Sequence, residues 1–288
     1  MARVLVTGAR GMLGRRMVEV FGQRHEVIPT AHSASPEAEA LDITDRAAVA
    51  RIVARTAPDW IVNAAAYTAV DRAESEEALA MLVNANGPRE LASAACASGA
   101  RLLHVSTDFV FRGEGKEPLD EKAPAGPVGA YARSKWAGEE AVRHLLPRAL
   151  ILRVAWLFGP DGKNFVDTIL KAAREGRSLR VVADQWGTPT FTVDAAEAAL
   201  AVMEAGLEGT VHAANTGVTS WHAFATEACR IAGLSTEVQP ITTADWPTPA
   251  RRPQYSALHN RVLEERLGRR QRSWQEALKD HISRSIAS

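Results

Sequence analysis

Arg3-Val4-Leu5-Val6-Thr7-Gly8-Ala9-Arg10-Gly11-Met12-Leu13-Gly14 decides the fold. The first five residues read as a short buried strand, the glycines as a turn, and the segment that follows to Phe21 as an amphipathic helix. Gly8 permits the tight turn, Gly11 lets backbone N–H groups approach a pyrophosphate at the helix N-terminus, and Gly14 lets helix and strand pack closely. A glycine triplet alone also suits a purely structural turn. Between a strand and a helix it points to nucleotide binding, with Arg10, Met12 and Leu13 in the same loop.

Outward from this unit the alternation repeats. Residues 26–29, 60–63, 102–105, 149–153 and 179–183 read as five further strands, and residues 77–97, which carry Asn84, have long helical periodicity. Thr44 or Asp45 is the expected cap of the helix after Leu41-Asp42-Ile43. Strands separated by helices of this length imply an α/β chain with a doubly wound parallel sheet covered on both faces. The carboxyl ends of its strands, with Thr7, Asn63 and Thr107, should line the ligand crevice. Ala64, Ala65 and Ala66 are small enough to leave room there for a flat ring.

A second, smaller α/β domain is expected from the later segments. Residues 209–214, 219–232 and 236–241 would form its body, with helices at 261–267 and 273–286. The alanine-rich helix at 192–205 should return to pack on the first domain, which makes the division 1–152 with about 179–205 against the remaining parts of 153–288. The loop 118–127, rich in Pro, Gly and charge, stands where loops commonly close over substrate.

Lys plus Arg and Asp plus Glu are both 34 in 288 residues, so no net field favours nucleic acid or an anionic membrane. No apolar stretch reaches the roughly 20 residues of a membrane span, and Met1 leads straight into the first strand, so a cytoplasmic protein is expected. Cys96 and Cys229 read as reduced core thiols. No metal-ligand cluster is visible, and His104 reads as a core histidine. The expected partners are a small molecule and, at most, a second copy of the chain in a homodimer.

Chemistry enters with Tyr131-Ala-Arg-Ser-Lys135, downstream of Ser106-Thr107. Positions i and i+4 share a helix face, so the Lys135 ammonium can sit beneath the Tyr131 phenol and lower its pKa from about 10. A phenol tuned that way can donate a proton to a carbonyl oxygen.

Together with Thr7-Gly8-x-x-Gly11-x-x-Gly14 and Asn63-Ala-Ala-Ala66, this motif resembles the extended short-chain dehydrogenases/reductases of nucleotide sugars, which have a Rossmann fold. Val105-Ser-Thr-Asp-Phe-Val-Phe111, Arg153-Val-Ala-Trp-Leu-Phe-Gly159, Asn164-Phe165, Asp184-Gln-Trp-Gly-Thr-Pro-Thr190 and Arg251-Arg-Pro253 narrow the resemblance to the dTDP-4-dehydrorhamnose reductase family, from Arg3 to about Leu267. That resemblance implies reduction of a 4-keto-6-deoxy sugar nucleotide by NAD(P)H. Thr107 would hydrogen-bond the sugar carbonyl, Tyr131 would protonate it, and Lys135 would hold the nicotinamide ribose. Asp42 and Ile43 would flank the adenine, and Ala64, Ala65, Ala66, Asn84 and Ser106 would stand along the cofactor. Asp108, Trp156, Asn164, Gln185 and Arg252 are the candidate substrate contacts.

Plainer readings stand beside these: Asp42 or Asn164 as a helix cap, Trp156 as core, and Arg252 as a solvated loop charge. The second strand ends in Pro29-Thr-Ala-His-Ser33 with no acid for a ribose 2′-OH, and Arg10 lies in the glycine loop, so NADPH should be preferred and NADH tolerated. The nucleotide-sugar 4,6-dehydratases follow the same threonine with an Asp-Glu pair; here Asp108 is followed by Phe109. The rival readings are a related epimerase or dehydratase, and a non-catalytic subunit like the β subunit of methionine adenosyltransferase, which the chain also resembles.

Overall fold

The computed structural model describes residues 1–287; Ser288, the end of the expected second domain, lies outside the described residues. The first half contains β1 (Arg3–Thr7), α1 (Met12–Gly22), β2 (Glu26–Ala31), β3 (Glu39–Ala40), α2 (Arg46–Thr56) and β4 (Trp60–Asn63). After them come α3 (Val70–Ala73), α4 (Glu77–Met81), α5 (Gly87–Ser98), β5 (Arg101–Thr107), α6 (Ala130–Leu145) and β6 (Leu150–Val154). The second half contains β7 (Leu157–Phe158), α7 (Phe165–Arg174), β8 (Leu179–Val182), β9 (Trp186–Gly187), β10 (Thr190–Phe191), α8 (Thr192–Glu204) and β11 (Gly209–His212). It closes with β12 (Thr219–Ser220), α9 (Trp221–Ile231), β13 (Val238–Ile241), α10 (Arg261–Leu267) and α11 (Trp274–Ala287).

Seven strands form one sheet in the order β11-β6-β5-β4-β1-β2-β3, and every pair in it is parallel. Val4 and Val6 face a core built with Met17 and Phe21 of α1 and the alanines of α8. Leu5 and Ile61 face the opposite core, with Val49 and Ile52 of α2 and Leu91 of α5. Alternate residues of the same strands are therefore buried on both faces, which is the condition for a doubly wound sheet. The strand order reverses between β1 and β4, and a crevice opens at the carboxyl ends there. Thr7, Asn63 and His104 cross that edge in a buried line: Thr7 Oγ1 to Asn63 Oδ1 is 2.7 Å, and Asn63 Nδ2 to His104 Nδ1 is 3.0 Å.

Three two-stranded sheets, β7 with β10, β9 with β12 and β8 with β13, make a smaller body around Phe158, Phe191, Phe224 and Trp274. The two-residue strands β3, β7, β9, β10 and β12 are not among the expected ones, and two expected strands find other partners. β8 pairs with β13 instead of joining the large sheet, and β11 leaves the smaller body to pair with β6, Gly209 opposite Leu150. Helix α8 does pack on α1, and it delivers the chain to the free edge of β6. Local propensity marks a strand but does not name its partner.

The long periodic segment is helical but not uniformly so. A π-helical turn, Leu82–Asn86, separates α4 from α5 and swells toward α6. Gly138 makes room for it, since a Cβ there would lie 2.1 Å from the Asn84 carbonyl oxygen. The loop at 118–127 is stitched away from the cleft: Leu119 N–H donates to Ala257 O, and Arg261 pairs with Asp120. Asp45, not Thr44, caps α2 through the amides of Ala47 and Ala48. Cys229 is buried, whereas Cys96 is exposed rather than core. No helix among the described residues is long and apolar enough to cross a membrane.

Candidate active site

A cleft of about 1180 Å³ lies over the carboxyl ends of the sheet. Its floor is the glycine turn. Gly8 has φ +69°, and a Cβ on it would stand 2.5 Å from the Ala65 amide nitrogen; one on Gly14 would stand 2.1 Å from Gly8 O. Both clashes are with backbone, so neither position admits a side chain. Gly11 caps α1 with no side-chain partner and no acid follows in the first turn, which leaves the helix N-terminus open to an anion. These residues fit the pyrophosphate of a dinucleotide.

The wall carries the reactive groups. β5 ends in Ser106 and Thr107, and α6 presents Tyr131 and Lys135, both buried. Lys135 Nζ donates to Val105 O at 2.8 Å. Burial pushes the Tyr131 phenol up to about 12; a hydrogen bond with Thr107 pulls the other way, and Asp108 adds to the rise. The expected lowering of the phenol by Lys135 does not occur: Lys135 is not among the groups that shift Tyr131, and burial sets the direction. Burial also brings Lys135 down to about 8, while Glu139 holds it up. Asp108 is raised to about 6 by burial, against hydrogen bonds from Ser256 and Thr107. Near neutral pH the set therefore comprises a neutral phenol, a cationic lysine and a carboxylate. A phenol that keeps its proton is suited to act as an acid. Phe109 packs edge-on against Tyr131, with ring centroids 5.5 Å apart.

Gly8, Arg10, Gly11, Met12, Leu13, Gly14, Asp42, Ile43, Ala64, Ala65, Ala66, Ser106, Thr107, Asp108, Tyr131, Lys135, Trp156 and Arg252 all line this cleft. Asp42 accepts from Thr44, and Arg10 Nη1 donates to Ser33 Oγ at 3.1 Å. Trp156 takes a left-handed φ of +46° and stacks on Trp221, with centroids 3.5 Å apart and planes 7° from parallel. A Cβ on Gly187 would lie 2.4 Å from the Trp156 indole, so the glycine is what admits the ring.

Three candidates do not reach the cleft. Asn84 is fully buried and holds Tyr67 N–H, Tyr67 O and Ser134 Oγ. Asn164 caps α7, accepting from the Asp167 amide. Gln185 is turned to Thr243. Each spends its amide on local backbone or side-chain partners, the competing use of such residues. Sequence reasoning missed Tyr67, Lys163 and Trp221, which also line the cleft. Tyr67 directly follows the alanine run and could have been found; Lys163 and Trp221 reach the cleft only through tertiary packing. His104 lies in the core, its pKa driven well below the ordinary value by burial and by Lys135 and Arg143. Among the described residues no group of three or more His, Cys, Asp or Glu could hold a metal ion.

Residues 2–286 match the family described as RmlD substrate binding domain. A dTDP-4-dehydrorhamnose reductase of Streptomyces griseus is 46% identical over 263 residues, 89% of this chain and 85% of its own length. The crystal structure of a dTDP-4-dehydrorhamnose reductase from Clostridium acetobutylicum superposes with a TM-score of 0.94 at 42% identity, covering 99% of each chain. One from Bacillus anthracis, in complex with NADP, gives 0.93 at 36% identity over 98% of this chain and 99% of its own.

Proposed function

Because this chain belongs to the dTDP-4-dehydrorhamnose reductase family, we propose that it reduces the C4 keto group of a dTDP-4-keto-6-deoxy sugar, dTDP-4-dehydrorhamnose to dTDP-L-rhamnose. The bound nicotinamide supplies the hydride. Tyr131 gives its proton to the C4 oxygen, Thr107 orients that oxygen by a hydrogen bond, and Lys135 supplies a cation for the nicotinamide ribose. The observation that carries this reading is the buried Tyr131 phenol, protonated at any physiological pH, beside a cationic Lys135.

The glycine turn with Arg10, Met12 and Leu13 takes the cofactor pyrophosphate; Asp42 and Ile43 take its adenine end, and Ala64 to Ala66 with Ser106 flank its length. Asp108, Trp156 and Arg252 face the sugar nucleotide. Arg10 and Ser33, bonded to each other just past β2, a strand whose own end carries no acid, favour NADPH over NADH, with Asp42 standing 4.0 Å from His32 on the same rim. The division of labour follows the layers, with residues 1–152 and α8 serving the cofactor and most of 153–288 the sugar nucleotide. A homodimer working in the cytoplasm completes the reading.

Dehydratase chemistry is the rival. It requires a base to take the C5 proton as well as an acid, and Phe109 cannot accept a proton. The test runs the reaction in D₂O with NADPH and examines the product by NMR. One NADPH consumed per sugar, with no enzyme-dependent deuterium at C3, C5 or C6, is the expected outcome. Deuterium at C5, or product without net NADPH oxidation, moves the chain to the rival class; no turnover at all favours a non-catalytic subunit.

A further inference from the structure

Helix α6 carries a buried stripe whose members are one turn apart: Tyr131, Lys135 and Glu139. Glu139 is 0% exposed, rare for a carboxylate, yet the chemistry above leaves it idle. Arg153 of β6, itself 3% exposed, grips both its oxygens, Nε to Oε1 at 2.9 Å and Nη2 to Oε2 at 2.7 Å. Arg143, one turn further along α6, donates to Oε2 as well. Burial pushes the Glu139 carboxyl up, but Arg153, with Ser106 and Arg143, more than offsets this and holds it below its ordinary value.

Two guanidiniums, those of Arg153 and Arg143, pair with this carboxylate directly, while the Lys135 ammonium, one turn away on the same buried face, makes no ion pair with it and feels only its charge. Other facing groups do not share that work. From β5 come His104, kept neutral by burial, and the Ser106 hydroxyl. From β11 comes His212, driven down to about 3 by burial and by Arg153. Glu121 spends one oxygen on the amides of His212 and Val262. Against α6 pack the uncharged Leu91 and Ala92 of α5, beside Val142, and Asn84 of the π-helical turn, bonded to Ser134. A buried ammonium whose one hydrogen-bond partner among the described residues is the Val105 carbonyl is costly, and a carboxylate one turn away offsets that cost.

We propose that Glu139 is a positioning residue for the reduction: clamped by Arg153 and Arg143, its carboxylate keeps Lys135 an ammonium in the cleft wall. This rests on the role given to Lys135 above. A buried ion pair is a poor device for stability alone, since apolar side chains of the same volume often do as well. Its place one turn from Lys135 gives it a chemical consequence.

The test labels the six lysines of the chain with ε-¹³C and follows them by NMR against pH without cofactor. The Lys135 resonance is identified by its loss in Lys135→Arg. In the native sequence it should titrate near pH 8. In Glu139→Gln the midpoint should fall by about one pH unit, so that NADPH binding at pH 8, read by its fluorescence, weakens roughly fivefold. Arg153→Gln should move the midpoint the other way, because a competing cation has gone; general damage to packing would shift both variants alike. An unmoved midpoint in folded Glu139→Gln overturns the inference, and if that variant does not fold, a midpoint that fails to rise in Arg153→Gln does so. Shifted midpoints with NADPH affinity indifferent to pH leave the inference standing and overturn the reading of Lys135.

Discussion

Arg252 and Asp71 form a two-pronged ion pair beside the cleft, Nη1 to Oδ1 at 2.9 Å and Nη2 to Oδ2 at 2.8 Å, joining the loop before Pro253 to α3. The guanidinium also donates to Thr248 Oγ1 and Ala250 O, so it is aimed before any ligand arrives. Arg252→Ala should raise the KM for the sugar nucleotide about 10- to 100-fold, as for a lost charge-assisted hydrogen bond to phosphate, with NADPH affinity little changed. Asp71→Asn, which keeps the shape of the pair, should cost far less. Equal losses in the two variants would show that the pair only fastens the loop.

Tyr131→Phe removes the proton donor but none of the packing, including the edge contact with Phe109. Turnover should fall by roughly 10² to 10⁴ while NADPH affinity is retained. Near-native turnover would remove Tyr131 from its assigned role.

Asp108 gives a pH dependence of defined sign. Its native pKa of about 6 lies above the ordinary 3.8, so between those values the folded chain binds more protons than the unfolded one. The stabilisation is full below pH 3.8 and is lost as pH rises through 6. Asp108→Asn cannot ionise; measured by urea unfolding, its stability relative to the native sequence should improve from pH 4.5 to pH 7. A constant difference over that range would contradict the raised pKa.

Arg10 and Ser33, bonded to each other on the cleft rim just past β2, are the pair proposed above to favour NADPH. Arg10→Ala should lower the NADPH to NADH ratio of kcat/KM by roughly tenfold or more, chiefly through the KM for NADPH. An unchanged ratio would place 2′-phosphate recognition elsewhere.

What the sequence disclosed follows from what is local. The glycine turn, the strands β1, β2, β4, β5 and β6 and the Tyr131 to Lys135 spacing depend on period, turn chemistry and a single helix face, all visible in a short window. What it hid was set by partners distant in the chain. β11 looks like any short strand until it meets β6, and Trp221 opens a helix far from Trp156 yet stacks on it. The amides of Asn84, Asn164 and Gln185 have two competing uses that composition cannot separate, and here backbone and neighbouring side chains won.

The π-helical turn at Leu82–Asn86 makes its stretch of chain sensitive to length in a way that substitution would not reveal. The π turn takes up one extra residue locally, so deleting one would let α4 and α5 run on as a regular helix and remove the swelling that brings Asn84 to Tyr67 and Ser134. Side-chain swaps can be absorbed along this segment, but a chain one residue shorter would lose the turn through which Asn84 joins Tyr67 of the cleft wall to Ser134 of the Tyr131 helix.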